Sequence, residues 1–215
     1  MNIVKEACVE GYQEAIQAKK LGADRIELCS SLNEDGLTPD RNTITSVLNA
    51  TTIPVKIMIR PRPGNFMYSQ KEVSQMESDI CFCKKQGIKE VVFGCLDNNR
   101  RVDIVTLNRL ANTSYPMKIT FHKAIDDTHN ILVEMDRLVK SNRVANVLTS
   151  GGSAFVLKKK TLLLKILKNF KGKLNIIIAG GINQNNFDTI HQVFQWNEYH
   201  GRKIVGNLCN EKKIG

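Results

Sequence analysis

At 215 residues, with 42% hydrophobic and 24% charged side chains, the chain has the composition of one large or two small soluble domains. No apolar run approaches the ~20 residues that a bilayer-crossing helix needs, so no membrane partner is expected. The formal net charge of +10 favours acidic partners, and where the charge lies decides of what kind.

The opening stretch, MNIVKEACVEG, carries charges where a signal peptide has its apolar region, so no export is expected. Six cysteines without dense regular spacing read as free thiols of a reducing cytosol, which predicts a cytoplasmic location.

In chain order, one unit returns: a short apolar strand, a polar turn and a helix-period segment. A strand over Ile3 to Val9 precedes a helix from Tyr12 to Leu21, stopped by Gly22. Asp24 to Cys29 forms the second strand, and a loop containing Gly36 leads to a helix from Pro39 to Asn49. The third strand, Ile53 to Ile59, ends in Arg60-Pro61-Arg62-Pro63-Gly64. Its prolines cannot donate to a sheet ladder, so they stop the strand and stiffen its exit. The third helix runs from Gln70 to Gln86 and is closed by Gly87. Strand and helix then alternate through Glu90 to Cys95, Ile104 to Ala111, Met117 to His122 and Ile131 to Lys140. They continue through Val144 to Thr149, Phe155 to Phe170, Leu174 to Ala179 and Gln184 to Gln195. An eighth strand fits at Glu198 to Arg202, followed by a shortened or atypical eighth helix. Alternation of this kind implies parallel strands with right-handed crossovers. Eight repeats predict closure into a TIM-type (β/α)8 barrel, an α/β fold, as one domain over residues 1–215; an open doubly wound sheet is the rival.

Side chains alternate faces along a strand, so Glu6 and Cys8 share a face, as do Glu27 and Cys29, and Met58 and Arg60. Thr120 with His122, and Glu198 with His200, follow the same rule, while Thr149 opposes Leu148. Placing the apolar set against the helices turns the polar set to the barrel axis. At the C-terminal strand ends this converges Glu6, Glu27, Arg60, Arg62, His122 and His200 on one mouth, where barrel enzymes keep their sites. Arginines there suit a carboxylate or phosphate, although each also reads as a staple to a local carboxylate. The turns Thr149-Ser150-Gly151-Gly152 and Ala179-Gly180-Gly181 place glycines where backbone N–H groups approach an anion. His122 beside Asp126 reads as a proton carrier oriented by a carboxylate or as a structural hydrogen bond, and Glu6 and Glu27 are further acid–base candidates.

The basic surplus gathers in Lys158, Lys159, Lys160, Lys165, Lys168, Lys171 and Lys173, around a helix with an apolar inner face. Arginine is sparse there and no aromatic platform accompanies it, so a solvated face and no nucleic-acid partner are expected.

The runs GADRIELCSSL (Gly22 to Leu32), GLTP (Gly36 to Pro39), IPVKIMIRPRPGNFMYS (Ile53 to Ser69), TFHKAID (Thr120 to Asp126), LTSGG (Leu148 to Gly152) and AGGI (Ala179 to Ile182) resemble those of the CutC family of copper-homeostasis proteins. The resemblance implies a cytoplasmic (β/α)8-type barrel, a homo-oligomer, and Cu(I) bound through cysteines that match Cys8 and Cys29. Lys123 and Ile125 stand where the family has arginine and phenylalanine, Asp35 replaces a glycine, and the ending after His200 drifts from the family's. Lys123 keeps the charge and loses bidentate geometry.

Soft thiolates suit Cu(I), and Cys8 and Cys29 sit on consecutive strands with side chains on one face. Cys81 and Cys83, two apart on a helix, face different sides and read as structural. Cys95 ends the fourth strand as a third thiol, and Cys209 lies in the tail. The rival function is an enzyme or binding protein for a small phosphate- or carboxylate-bearing molecule, with Arg60, Arg62, His122, Lys123, Ser150, Gly151, Gly180, Gly181 and His200 as its ligand-binding residues.

Overall fold

Short β-branched runs such as Asn175-Ile176-Ile177-Ile178, which the Gly180-Gly181 turn follows, make strands that feed helices lying back across the sheet. The computed structural model describes residues 2–208 and shows eight such strands, all parallel and in sequential order, closed into a barrel. The strands are β1 (Val4–Glu10), β2 (Arg25–Cys29), β3 (Val55–Met58), β4 (Glu90–Phe93), β5 (Lys118–Phe121), β6 (Asn146–Thr149), β7 (Asn175–Ile178) and β8 (Glu198–Gly201). The helices are α1 (Tyr12–Lys20), α2 (Arg41–Ala50), α3 (Gln70–Lys85), α4 (Ile104–Ser114), α5 (Ile131–Ser141), α6 (Lys160–Phe170) and α7 (Phe187–Phe194). The TIM-type barrel expected from the repeats is what the chain forms. The eighth helix and Cys209 fall outside the described residues.

Local chemistry sets the element ends. Ser69 and Glu72 cap α3 reciprocally, and Asp40, Asp103 and Asn130 accept backbone N–H groups at the starts of α2, α4 and α5. The helix expected from Phe155 begins instead with a 3-10 turn over Val156–Lys159, and α6 proper starts at Lys160.

The main core lies between sheet and helices, built from outward residues such as Ile26, Ile57, Val91, Phe121, Ile176 and Tyr199. Inside the barrel the lower layer is polar. Glu6 pairs with Arg25, whose Nη2 reaches Glu198 at 2.6 Å. Asn175 donates to Glu198 at 2.6 Å and to Asn146 at 2.9 Å, and Asn146 donates to Glu90 at 2.5 Å. Lys56 closes the circuit, 2.8 Å from Glu90 and 3.1 Å from Glu6, while its bond to Thr120 brings in β5. Every strand thus contributes a side chain to one hydrogen-bonded ring. It plugs the lower barrel and forms the floor on which the site stands.

One expectation about faces fails. Leu148, not Thr149, turns to the axis, where it joins Ile177 and Ala179 in a small buried cluster. Thr149 lies on the other face, its hydroxyl bonded to Asp126. The interior above the ring is therefore half apolar, because β6 and β7 carry aliphatic residues at the positions where β1 and β2 carry ionisable ones.

Candidate metal and ligand site

The register of β1 and β2 sets Cys8 opposite Glu27, and Glu10 opposite Cys29, so the cysteines are diagonal neighbours. Their side chains share the inner face, and the sulfurs come within 3.7 Å of each other, both buried. Met58 of β3 and Val92 of β4 pack against them, with Leu32 alongside, so two thiols and a thioether occupy one pocket. Just outside, Glu27 Oε2 lies 3.7 Å from Cys29 Sγ and 3.6 Å from His200 Nε2. His200 Nδ1 lies 2.9 Å from Glu6 Oε1, which links the thiol pocket to the polar ring.

The electrostatics follow from these contacts. The hydrogen bond from Cys29 and the nearby His200 overcome burial and pull the Cys8 thiol down to about 5. Cys29 moves well above its ordinary value, because it supplies that bond and is itself buried. Burial pushes the Glu27 carboxyl up to about 8, against the attraction of His200. Burial opposes a charge on His200, but Glu27, Cys8 and Glu6 outweigh it and hold the imidazole protonated well above its usual range. Near neutral pH the pocket holds one thiolate, one thiol and an imidazolium.

Two sets of donors converge closely enough to hold a metal: Cys8, Glu27 and Cys29, and Glu6, Glu27 and His200. The second set is already engaged, since Lys56 and Arg25 neutralise Glu6 and would repel another cation. The first set offers paired soft sulfurs, one of them ionised, which fits Cu(I) by donor type.

Above the thiols opens a cavity of about 770 Å³ at the C-terminal strand ends. Cys8, Cys29, Glu27, Arg60, His122 and His200 all line it, as do Lys123, Asp126, Ser150, Gly152, Gly180 and Gly181. Glu6 does not reach it and belongs to the ring one layer below. Arg62 turns away: it bonds Glu72 and donates to the carbonyls of Pro63, Asn65 and Met67, so it staples its own loop. Gly151 packs under α6, where a Cβ would lie 3.0 Å from Lys159 and 3.2 Å from Leu163. Gly180, at φ +110, lets the turns after β6 and β7 touch, since a Cβ there would sit 2.8 Å from that of Ser150.

Arg60 is buried and clasps two loops, its guanidinium donating to the carbonyls of Glu34, Gly36 and Gly64 at 2.7, 3.1 and 2.9 Å. His122 and Asp126 form no pair. The Asp126 carboxylate accepts from Thr149 and from both the amide and hydroxyl of Ser150, at 2.8 and 2.7 Å for the latter two. His122 Nδ1 instead accepts the Ala124 amide at 3.1 Å, which places its ring proton on Nε2. Burial and the Arg60 charge pull the imidazole down to about 3, so it stays neutral and is no proton carrier near pH 7. Cys95, expected to end the fourth strand, lies two residues past β4, buried outside the thiol pocket with its Sγ on the Asp103 carbonyl. Sequence reasoning put Glu6, Thr120 and Glu198 of the ring on the inner face but missed Arg25, Lys56, Glu90, Asn146 and Asn175. The signal was present as one polar residue at or near the start of each of β3, β4, β6 and β7: Lys56, Glu90, Asn146 and Asn175.

The profile of the CutC family matches residues 3–205. The human copper homeostasis protein cutC homolog is 35% identical over 195 residues, covering 91% of this chain and 71% of that one. The chain belongs to the CutC family. A CutC relative from Glaesserella parasuis is also 35% identical, over 91% of this chain and 80% of its own. The CutC crystal structure from Streptococcus agalactiae superposes with a TM-score of 0.87 at 27% identity, covering 94% of this chain and 99% of that one. A dihydrodipicolinate synthase from Bacillus anthracis, at TM-score 0.63 and 9% identity, shares the fold alone. Within this CutC-family barrel the lysine of TFHKAID, Lys123, stands exposed on the cavity rim.

Proposed function

We propose that the chain is a cytoplasmic copper-homeostasis protein that binds Cu(I) through Cys8 and Cys29. The observation that carries the reading is the pair of buried sulfurs 3.7 Å apart at the base of an open cavity. A soft ion needs soft donors, and a thiolate already formed near neutral pH lowers the proton cost of binding. His200 balances the charge of that thiolate, and Met58 keeps the pocket apolar on its other side. Free thiols throughout the described residues support a reducing compartment. A homo-oligomeric state is part of the same proposal and rests on the family resemblance.

Anaerobic Cu(I) titration against a competing chelator tests the site. Cys8→Ser and Cys29→Ser should each lose most of the affinity, because one thiolate cannot replace a pair. Undiminished binding in the double variant would end the reading.

A further inference from the structure

The cavity is far larger than one ion requires. Its volume of about 770 Å³ falls in the range of about 300–1,000 Å³ typical of small-molecule sites. Three buried polar atoms on residues that line it lack any partner among the described residues: His122 Nε2, Arg60 Nε and Glu27 Oε1. Buried polar groups are nearly always satisfied, so an orphan beside a cavity points to a missing partner. For His122 the sign of that partner is fixed by geometry. Its Nδ1 is committed to the Ala124 amide, so Nε2 carries the hydrogen and calls for an acceptor.

The surroundings favour an acceptor with negative charge. The buried Arg60 guanidinium rests on Phe66, 5.0 Å from ring centre, and His122 packs on the same ring at 4.8 Å. Lys123 and Lys203 line the cavity without an ion pair among the described residues. The lining also holds four carboxyl groups: Glu27, which burial pushes up to about 8, Asp126, which accepts from Thr149 and Ser150, and Asp35 and Asp127. Across the cavity, Gly152 and Gly181 sit at φ +78 and +67. Neither of their amides has a protein acceptor among the described residues. Backbone turned this way presents N–H groups to an oxyanion.

We infer that the cavity is a second site, for a small organic molecule bearing a carboxylate or phosphate, whose oxyanion is held by His122 Nε2–H with Lys123 at the rim. The site is independent of the copper reading. It shares a wall with the thiols and uses neither sulfur.

The test is calorimetric titration of metal-free protein with inorganic phosphate, glycerol phosphate and lactate, in wild type, His122→Asn and Lys123→Ala. Asparagine can still cap the Ala124 amide but is too short to present the second donor, so the fold is kept. Removing a hydrogen bond to a charged group should weaken binding about tenfold in His122→Asn. Removing the exposed charge should weaken it about threefold in Lys123→Ala. Both cavity variants should keep wild-type Cu(I) affinity. Binding of the phosphates alone, or of lactate alone, supports the inference and names the oxyanion. No binding by any of the three at about ten millimolar overturns it. Equal binding in wild type and Lys123→Ala overturns it as well, even if His122→Asn does not fold.

Discussion

A thiolate inside a barrel needs a counter-charge, and His200 supplies it from β8 while its other nitrogen rests on Glu6. The result is a pair of cysteines that share one proton across 3.7 Å. This makes a direct expectation for pH. The pair should give up its first proton near pH 5 and its second well above the ordinary thiol value of 9.0. Ultraviolet thiolate absorbance should show one step in acid that disappears in Cys8→Ser. A single step near the ordinary thiol value would contradict it. Residue types made this pair legible, because cysteines two positions apart in register on adjacent strands share a face whatever the tertiary detail. The role of Arg62 was not legible. Whether an arginine at a strand exit meets a ligand or its own loop depends on χ angles that spacing does not constrain, and Glu72 at the start of α3 wins it.

At the level of elements, the end of β5 shows what alternation alone leaves open. His122 and Asp126 lie four apart, a spacing that would juxtapose them on an α-helix. The chain makes a 3-10 turn over Lys123–Asp127 instead, with His122 as its cap, and Asp126 swings to the β6 turn. The carboxylate therefore ties two loops while the imidazole stays neutral. The residue just after β4 holds that imidazole in place by having no side chain: a Cβ on Gly94 would lie 2.6 Å from His122 Nδ1 and 2.9 Å from Ala124 Cβ. Gly94→Ala should cost about 1–3 kcal/mol by overpacking, read as a lower urea midpoint at unchanged slope. It should also release the His122 ring, visible as a rise of its NMR titration from about 3 toward 6.5. A stable variant with an unmoved imidazole would show that the contact is slack. The reversed faces of β6 belong to the same scale: Asn146-Val147-Leu148-Thr149 alternates weakly, so its pattern alone did not choose a face.

For the whole molecule, closure was legible from eight repeats, but what fills the barrel was not. Lys56 lies in an apolar run and looks like an interruption; its meaning appears only when Glu6 and Glu90 arrive from the neighbouring inner faces. Lys56→Met removes the cation and leaves two carboxylates in the closed interior. Breaking a buried pair from one side costs about 3–5 kcal/mol, which urea unfolding would register. No change in midpoint would show that the ring is not a stabilising plug. Burial opposes ionisation of Glu6, yet Lys56, His200 and Arg25 hold its carboxyl well below the ordinary 4.5. A depressed folded pKa gives stability that is full above the unfolded value and lost as pH falls. The barrel should therefore weaken in acid below about 4.5, and less so when Glu6 is replaced by glutamine.

X-ray absorption of the protein loaded anaerobically with one equivalent of Cu(I) reads out whether the ring-supported thiol pair holds the ion. Two sulfur neighbours should dominate the copper shell, and that shell should be lost in the Cys8→Ser, Cys29→Ser double variant. A shell of nitrogen and oxygen neighbours, unchanged in that variant, would contradict binding by the thiols.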